Sequence, residues 1–201
     1  GKKIWEKTEL GADIEAVVLF QRKQLRMFDE STELYTSSPV YDTEDEIVPL
    51  FCDKKEVARG TPAELKAKYQ YKAEDGKTKS KLEDNRILYV LYTPKGGEPT
   101  VYQLNLRGSS MYSFFTYAKE LNKKGLVPPA VMTSFASEAK EKGSIEWNMM
   151  TFEVARALDK KEINDVLERV AEIKNGIAQE KAYFTNRAAN EEAADKAFKE
   201  M

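Results

Sequence analysis

The sequence predicts an α+β domain, mostly antiparallel and built from hairpins, with two internal helices and a long C-terminal helix. Three observations predict it. Short runs rich in aromatic and β-branched residues recur between clusters of Gly, Pro and Asp, the punctuation of hairpins. Two segments inside that series switch to a helical period, and from Asp159 onward apolar residues fall on one helical stripe. At 201 residues the chain can bury a sizeable core, read as a β-domain over residues 1–158 followed by a helical extension over 159–201.

The elements follow in order. Residues 14–28 have strand content, "DEST" at 29–32 is a polar break, and Leu34 to Tyr41 returns as an edge or bulged strand because it contains Pro39. "EIVPLFCDKKEVARG" repeats the design around Asp53-Lys54-Lys55. Thr61, Pro62 and Glu64 then spell an N-cap, a first-position proline and a capping-box partner, so a short helix starts there, with Leu65 and Tyr69 on one face. Residues 72–86 contain little that could enter a core and read as a long polar loop carrying Lys77, Lys79 and Lys81.

The clearest hairpin joins Ile87–Tyr92 to Thr100–Arg107 through Pro94, Gly96 and Gly97. In its second arm Tyr102, Leu104 and Leu106 alternate with Gln103, Asn105 and Arg107, giving a buried face and a wet one. Met111, Phe114, Phe115, Ala118 and Leu121 then mark a core helix, capped by Ser109 or Ser110 and stopped by Gly125. A last hairpin turns near Lys142-Gly143. Asp159 and Glu162 form a second capping box ahead of the stripe Ile163, Val166, Leu167, Val170, Ile173 and Ile177; that helix either ends at Asn175-Gly176 or continues through Phe184. So many short strands leave edges unless they curl, and an OB-like β-barrel elaborated by the two helices is the expected arrangement, with a sheet covered by helices on one face as the alternative.

Composition narrows the chemistry. Net charge is -2, so any contact with phosphate has to come from a local patch and not from bulk basicity. Cys52 is the sole cysteine, which rules out an intrachain disulfide and points to a reducing, cytoplasmic setting. The chain contains no histidine, which removes Ser-His-Asp and Cys-His catalysis and imidazole metal sites. There is no P-loop, dinucleotide fingerprint or HExxH. "DTEDE" at 42–46 lacks the spacing of a calcium loop and reads as a solvated turn. No apolar run is long enough for a membrane helix, and "GKKIWEKTELG" has no signal-peptide core. The expectation is a protein that is not an enzyme, with no cofactor, metal or membrane partner.

What stands out is the run "LFQRKQLRMF" at 19–28, whose alternation puts Phe20, Arg22, Gln24, Arg26 and Phe28 on one face of a strand. Two readings stand side by side. Cations and rings together make a surface for single-stranded nucleic acid, in which bases stack and phosphates are neutralised. Alternatively the phenylalanines are buried while the arginines snorkel or pair with nearby acids. Trp5 and Trp147 are read as core or core-rim residues.

The hairpin series, the "ARGTPAELKAKY" insertion, "LYVLYTPKGGEPTVYQLNLRGSS" leading into an amphipathic helix, and the final hairpin resemble phage- or plasmid-type single-stranded DNA-binding proteins of the OB type, over residues 4–158. That resemblance implies a replication or recombination accessory that coats single strands. Members of the family often end in an acidic tail tipped by an aromatic residue, whereas "DKAFKEM" is mixed in charge, which argues against tail-mediated recruitment of other replication proteins. The expected contacts are Arg22, Arg26 and Arg107 to phosphates, Phe20, Phe28 and Tyr92 as stacking rings, and Lys77, Lys79 and Lys81 as a flexible basic arm. The competing expectation is a protein-interaction or assembly module that self-associates or binds a partner through the C-terminal helix.

Overall fold

The computed structural model describes residues 14–199, with side chains through residue 179. Trp5 and the terminal "EM" of the tail lie outside the described residues. The chain divides into two compact units, Gly1–Ala157 and Leu158–Met201.

Among the described residues the first unit holds ten strands and two helices. In order they are β1 (Ile14–Asp29), β2 (Leu34–Ser37), β3 (Val48–Cys52), β4 (Lys55–Gly60), α1 (Pro62–Lys68), β5 (Gln70–Lys72) and β6 (Thr78–Ser80). There follow β7 (Glu83–Tyr92), β8 (Thr100–Leu106), α2 (Gly108–Lys123), a 3-10 turn at Pro128–Ala130, β9 (Val131–Lys142) and β10 (Ile145–Ala157). All pairings are antiparallel, so the α+β class holds. Eight strands form one sheet that branches at β1, with β10-β9-β1-β2-β3-β4 as one path and β7-β8 attached to β1. The ladder does not close into a barrel: β4, β8 and β10 each pair on one side only.

Strand β1 organises the whole sheet because it is long enough to serve three neighbours. It pairs with β9 at Ile14–Ala16, with β7 from Ala16 to Arg26, and with β2 from Arg26 to Asp29. A bulge between Val18 and Phe20 shifts the register against β7. An extra residue bends a strand and strengthens its twist, so the two ends of β1 serve different cores. Ala16 and Val18 join Leu88, Val90, Leu106, Phe114, Phe135 and Phe152 under α2. Leu25 joins Tyr41, Val48, Leu50, Leu65 and Leu82 beside α1.

Local chemistry explains most boundaries. At α1 the Thr61 hydroxyl accepts from the Glu64 backbone N–H while the Glu64 carboxylate accepts from the Thr61 N–H, the reciprocal capping box. The β3–β4 turn places Asp53 and Lys54 at φ 46° and 64°, the left-handed pair that a two-residue hairpin loop demands. Segment 72–86, expected as a loop, holds the end of β5, the turn and β6 of a two-stranded ribbon, and the start of β7. Its strands are too short and polar to show a period, but Asp75-Gly76 at the turn, with Gly76 at φ 75°, is a hairpin signal.

Helix α2 corrects a second expectation. Its N-cap is Arg107, with no side-chain cap, and the two serines sit inside the first turn. Ser109 Oγ accepts from the Trp147 indole N–H at 3.0 Å and Ser110 Oγ accepts from the Met150 backbone N–H at 2.9 Å. The hydroxyls therefore tie β10 to the helix.

The second unit is α3 (Lys160–Lys199), opened by the Asp159–Glu162 capping box. The helix continues through Asn175-Gly176 without a break. Among the described residues no helix is long and apolar enough to cross a membrane.

Candidate nucleic-acid interface

The face of β1 predicted from alternation divides into an outer part and an inner part. At the outer end, Phe28 pairs across from Tyr35 of β2, and their ring centroids are 4.7 Å apart at an interplanar angle of 41°. The Arg26 guanidinium carbon lies 3.8 Å from the Tyr35 ring centroid, a cation–π contact. Phe28 is 47% exposed and Tyr35 45%. Two half-exposed rings and a guanidinium thus share one surface patch on adjacent strands.

Arg22 has a different fate. It is 4% exposed, its Nε donates to Asp42 Oδ1 at 2.7 Å, and Nη2 donates to Asp42 Oδ2 and to the Val40 carbonyl, each at 3.2 Å. Burial on its own would lower the guanidinium pKa, but hydrogen bonding to Asp42, with Tyr89 contributing, outweighs it and moves the pKa upward. The residue is a buried, charged, paired cation. A phosphate would have to displace Asp42 to reach it, which corrects its expected place among the phosphate contacts.

Phe20 likewise turns to the protein. It stacks on buried Tyr89 with centroids 4.5 Å apart and rings 16° from parallel. Tyr92 pairs with Ala16 on the core face, half-buried against the main apolar cluster, with its ring edge-on to Tyr102 at 6.0 Å. Both rings are thus half-buried and less accessible than Phe28 or Tyr35.

The acidic run at 42–46 is spent inside its own loop. Besides the Arg22–Asp42 pair, Glu44 accepts from Lys23 at 2.6 Å and the Glu46 carboxylate accepts from the Asp42 and Thr43 backbone N–H groups.

The three lysines of segment 72–86 stand on or beside the β5–β6 ribbon. Lys77 and Lys79 lie 3.9 Å and 3.5 Å from Asp75, and both are exposed. Lys79 pairs across from Tyr71, also exposed. Lys81 is tied through its backbone N–H to the Tyr69 carbonyl. Its charge reaches Asp29, next to Phe28: the Asp29 carboxyl is held below its ordinary range chiefly by hydrogen bonds from Ser31, with Lys81 adding. The arm is thus an ordered ribbon whose base lies near the aromatic cluster.

Arg107 is exposed and lines an open cleft of about 610 Å³ together with Glu83, Asn105, Ser109, Trp147 and Asn148. Trp147 is 37% exposed, its ring set by the bond to Ser109, so it forms a wall of the cleft and not a core residue. Glu83 pairs directly across from Arg26, so cleft and aromatic cluster are neighbours. From β2 to β8 the surface crosses three inter-strand steps, roughly 14 Å.

The structure therefore brings together Arg26, Phe28, Lys81 and, beyond Glu83, Arg107, and sets Phe20, Arg22 and Tyr92 apart from them. Tyr35 was the residue missed; its signal is its position three residues past the "DEST" turn, which sets it opposite Phe28. No family model matches the chain, and no curated protein and no solved structure matches it.

Proposed function

We propose that the chain is a non-enzymatic single-stranded DNA-binding protein, an open OB-like platform serving replication or recombination in a phage or mobile element. The observation that carries this reading is the exposed Arg26–Tyr35–Phe28 cluster. Bases of any sequence offer a π-face, and stacking on an aromatic side chain is worth roughly 1–3 kcal/mol each. Arg107, Lys77, Lys79 and Lys81 supply the cations around it, and the acidic remainder of the surface limits indiscriminate adhesion.

A second reading keeps the protein-interaction class alive, because α3 spans 40 residues and carries Leu167 exposed on its apolar stripe. A partner helix packed there would bind through apolar contact.

Fluorescence anisotropy of a labelled dT oligonucleotide of about 30 nucleotides, at low and moderate salt with a duplex control, tests the first reading against the second. Strand-selective binding that weakens as salt rises supports it. Absence of binding even at low salt sinks it.

A further inference from the structure

We propose that the cleft between Glu83, Arg107 and Trp147 is a base-selective subsite that takes a guanine nucleotide. The proposal rests on the nucleic-acid reading above for its ligand class. The cleft is open to water and, at about 610 Å³, roomy enough to admit one nucleotide along its wall. One wall is the Trp147 ring, fixed in place by its indole bond to Ser109. The first-turn serines of α2 are already engaged with β10, so the cleft is not merely the start of a helix waiting for an anion.

Its remaining groups define the ligand by elimination. Glu83, Asn105, Arg107 and Asn148 all line the cleft, and none makes a side-chain hydrogen bond or ion pair among the described residues. An ionised carboxylate only accepts, so a ligand beside Glu83 must bring N–H or O–H donors, best a parallel pair for its two oxygens; a guanidinium only donates, so the same ligand must bring an anionic or acceptor group to Arg107. A bare phosphate fails the first condition and an apolar ligand fails both. A stacked base with its phosphate meets both.

Among the bases, guanine presents two parallel N–H donors on its pairing edge, which match the two oxygens of a carboxylate. Adenine and cytosine present one amino group beside a ring nitrogen acceptor that faces the carboxylate unfavourably. Thymine and uracil present a single N–H between two carbonyls that repel it. The amides of Asn105 and Asn148 are free to donate to the guanine carbonyl. Because Glu83 pairs across from Arg26, a guanine held here sits beside the proposed coating surface.

The test follows the Trp147 indole N–H resonance of the full chain by NMR, assigned through Trp147→Phe, during titration with GMP, AMP, CMP and UMP. The expected result is a saturable Trp147 shift with GMP, at an apparent affinity at least about fivefold tighter than for the other three. Glu83→Gln is expected to level the four. No Trp147 response to GMP, equal responses to all four, or a guanine preference that survives Glu83→Gln overturns the assignment. The dT oligonucleotide contains no guanine and is run in parallel. If it binds while GMP fails, only the cleft assignment falls; if it fails while GMP is selected, the coating role falls and the cleft assignment stands; if both fail, both fall.

Discussion

Arg22 and Asp42 form a two-point pair across the strand and the following loop, with Nε 2.7 Å from Oδ1 and the guanidinium side chain 4% exposed against 50% for the carboxylate. The cation is buried and its partner stands at the surface. Removing Asp42 leaves a buried guanidinium without its carboxylate, whereas removing Arg22 empties a buried site and leaves a carboxylate that water reaches; both losses are felt in folding.

Arg22→Ala and Asp42→Ala are therefore expected to lower stability in urea unfolding, each by about 1.5–3 kcal/mol, the range for hydrogen bonds to charged groups. Affinity for the dT oligonucleotide, measured where both variants remain folded, is expected to stay near that of the wild type. A selective loss of affinity in folded Arg22→Ala would return that residue to the interface.

Phe28→Ala and Tyr35→Ala should behave in the opposite way. Both rings are about half exposed, so stability changes little, whereas each lost stack is expected to weaken oligonucleotide binding by about 1–3 kcal/mol, or roughly 5- to 150-fold. Anisotropy titrations of the two single variants and the double variant read this directly. Unchanged affinity in the double variant removes the aromatic cluster from the proposal.

Two buried tyrosines give a contrasting pair. The Tyr41 hydroxyl is fully buried and has no hydrogen-bond partner, while the Tyr117 hydroxyl lies 2.6 Å from Thr133 Oγ1. Tyr41→Phe is expected to be neutral or stabilising and Tyr117→Phe to cost about 1 kcal/mol, both read from denaturant midpoints. Burial also raises both phenol pKa values, that of Tyr41 farther with Glu44 and Asp84 adding, while the Thr133 bond opposes the shift at Tyr117. A folded-state pKa above the unfolded value of about 10 means the contribution is complete below pH ~10 and is lost as pH climbs through the folded value. Stability should therefore decline above pH ~10, and less steeply in Tyr41→Phe.

Lys77→Gln with Lys79→Gln probes the ribbon. If both lysines neutralise phosphates, the slope of log affinity against log salt should become shallower by about 0.7 per lysine, as for single strands. An unchanged slope assigns the two lysines to Asp75 alone.

Much of this architecture was legible because local chemistry specified it. Thr61, Pro62 and Glu64 marked the start of α1, and the Pro94–Gly97 turn located β7 and β8. What escaped was set by long-range packing. Alternation correctly put Phe20, Arg22, Arg26 and Phe28 on one face of β1, but which part of that face is covered depends on the loop carrying Asp42 and on Tyr89, both distant in sequence. Ser109 and Ser110 read as caps because nothing local announces that β10 will arrive to claim their hydroxyls. Branching at β1 was equally invisible, since a 16-residue strand serving three partners has the same pattern as one serving two.

That branching also bears on how the chain is made. Ile14 at the start of β1 pairs with Phe135 of β9, a residue that leaves the ribosome roughly 120 positions later, about 6–24 s at ordinary elongation rates. Through that interval Ile14–Ala16 has no β9 beside it, and the larger core lacks Val131, Phe135 and Phe152. The hairpin with β2 and the smaller cluster around Leu25 complete earlier, with Leu82 the last of its buried members to emerge. All the residues of the smaller cluster have thus been synthesised well before β9, while the larger one lacks a neighbour until then.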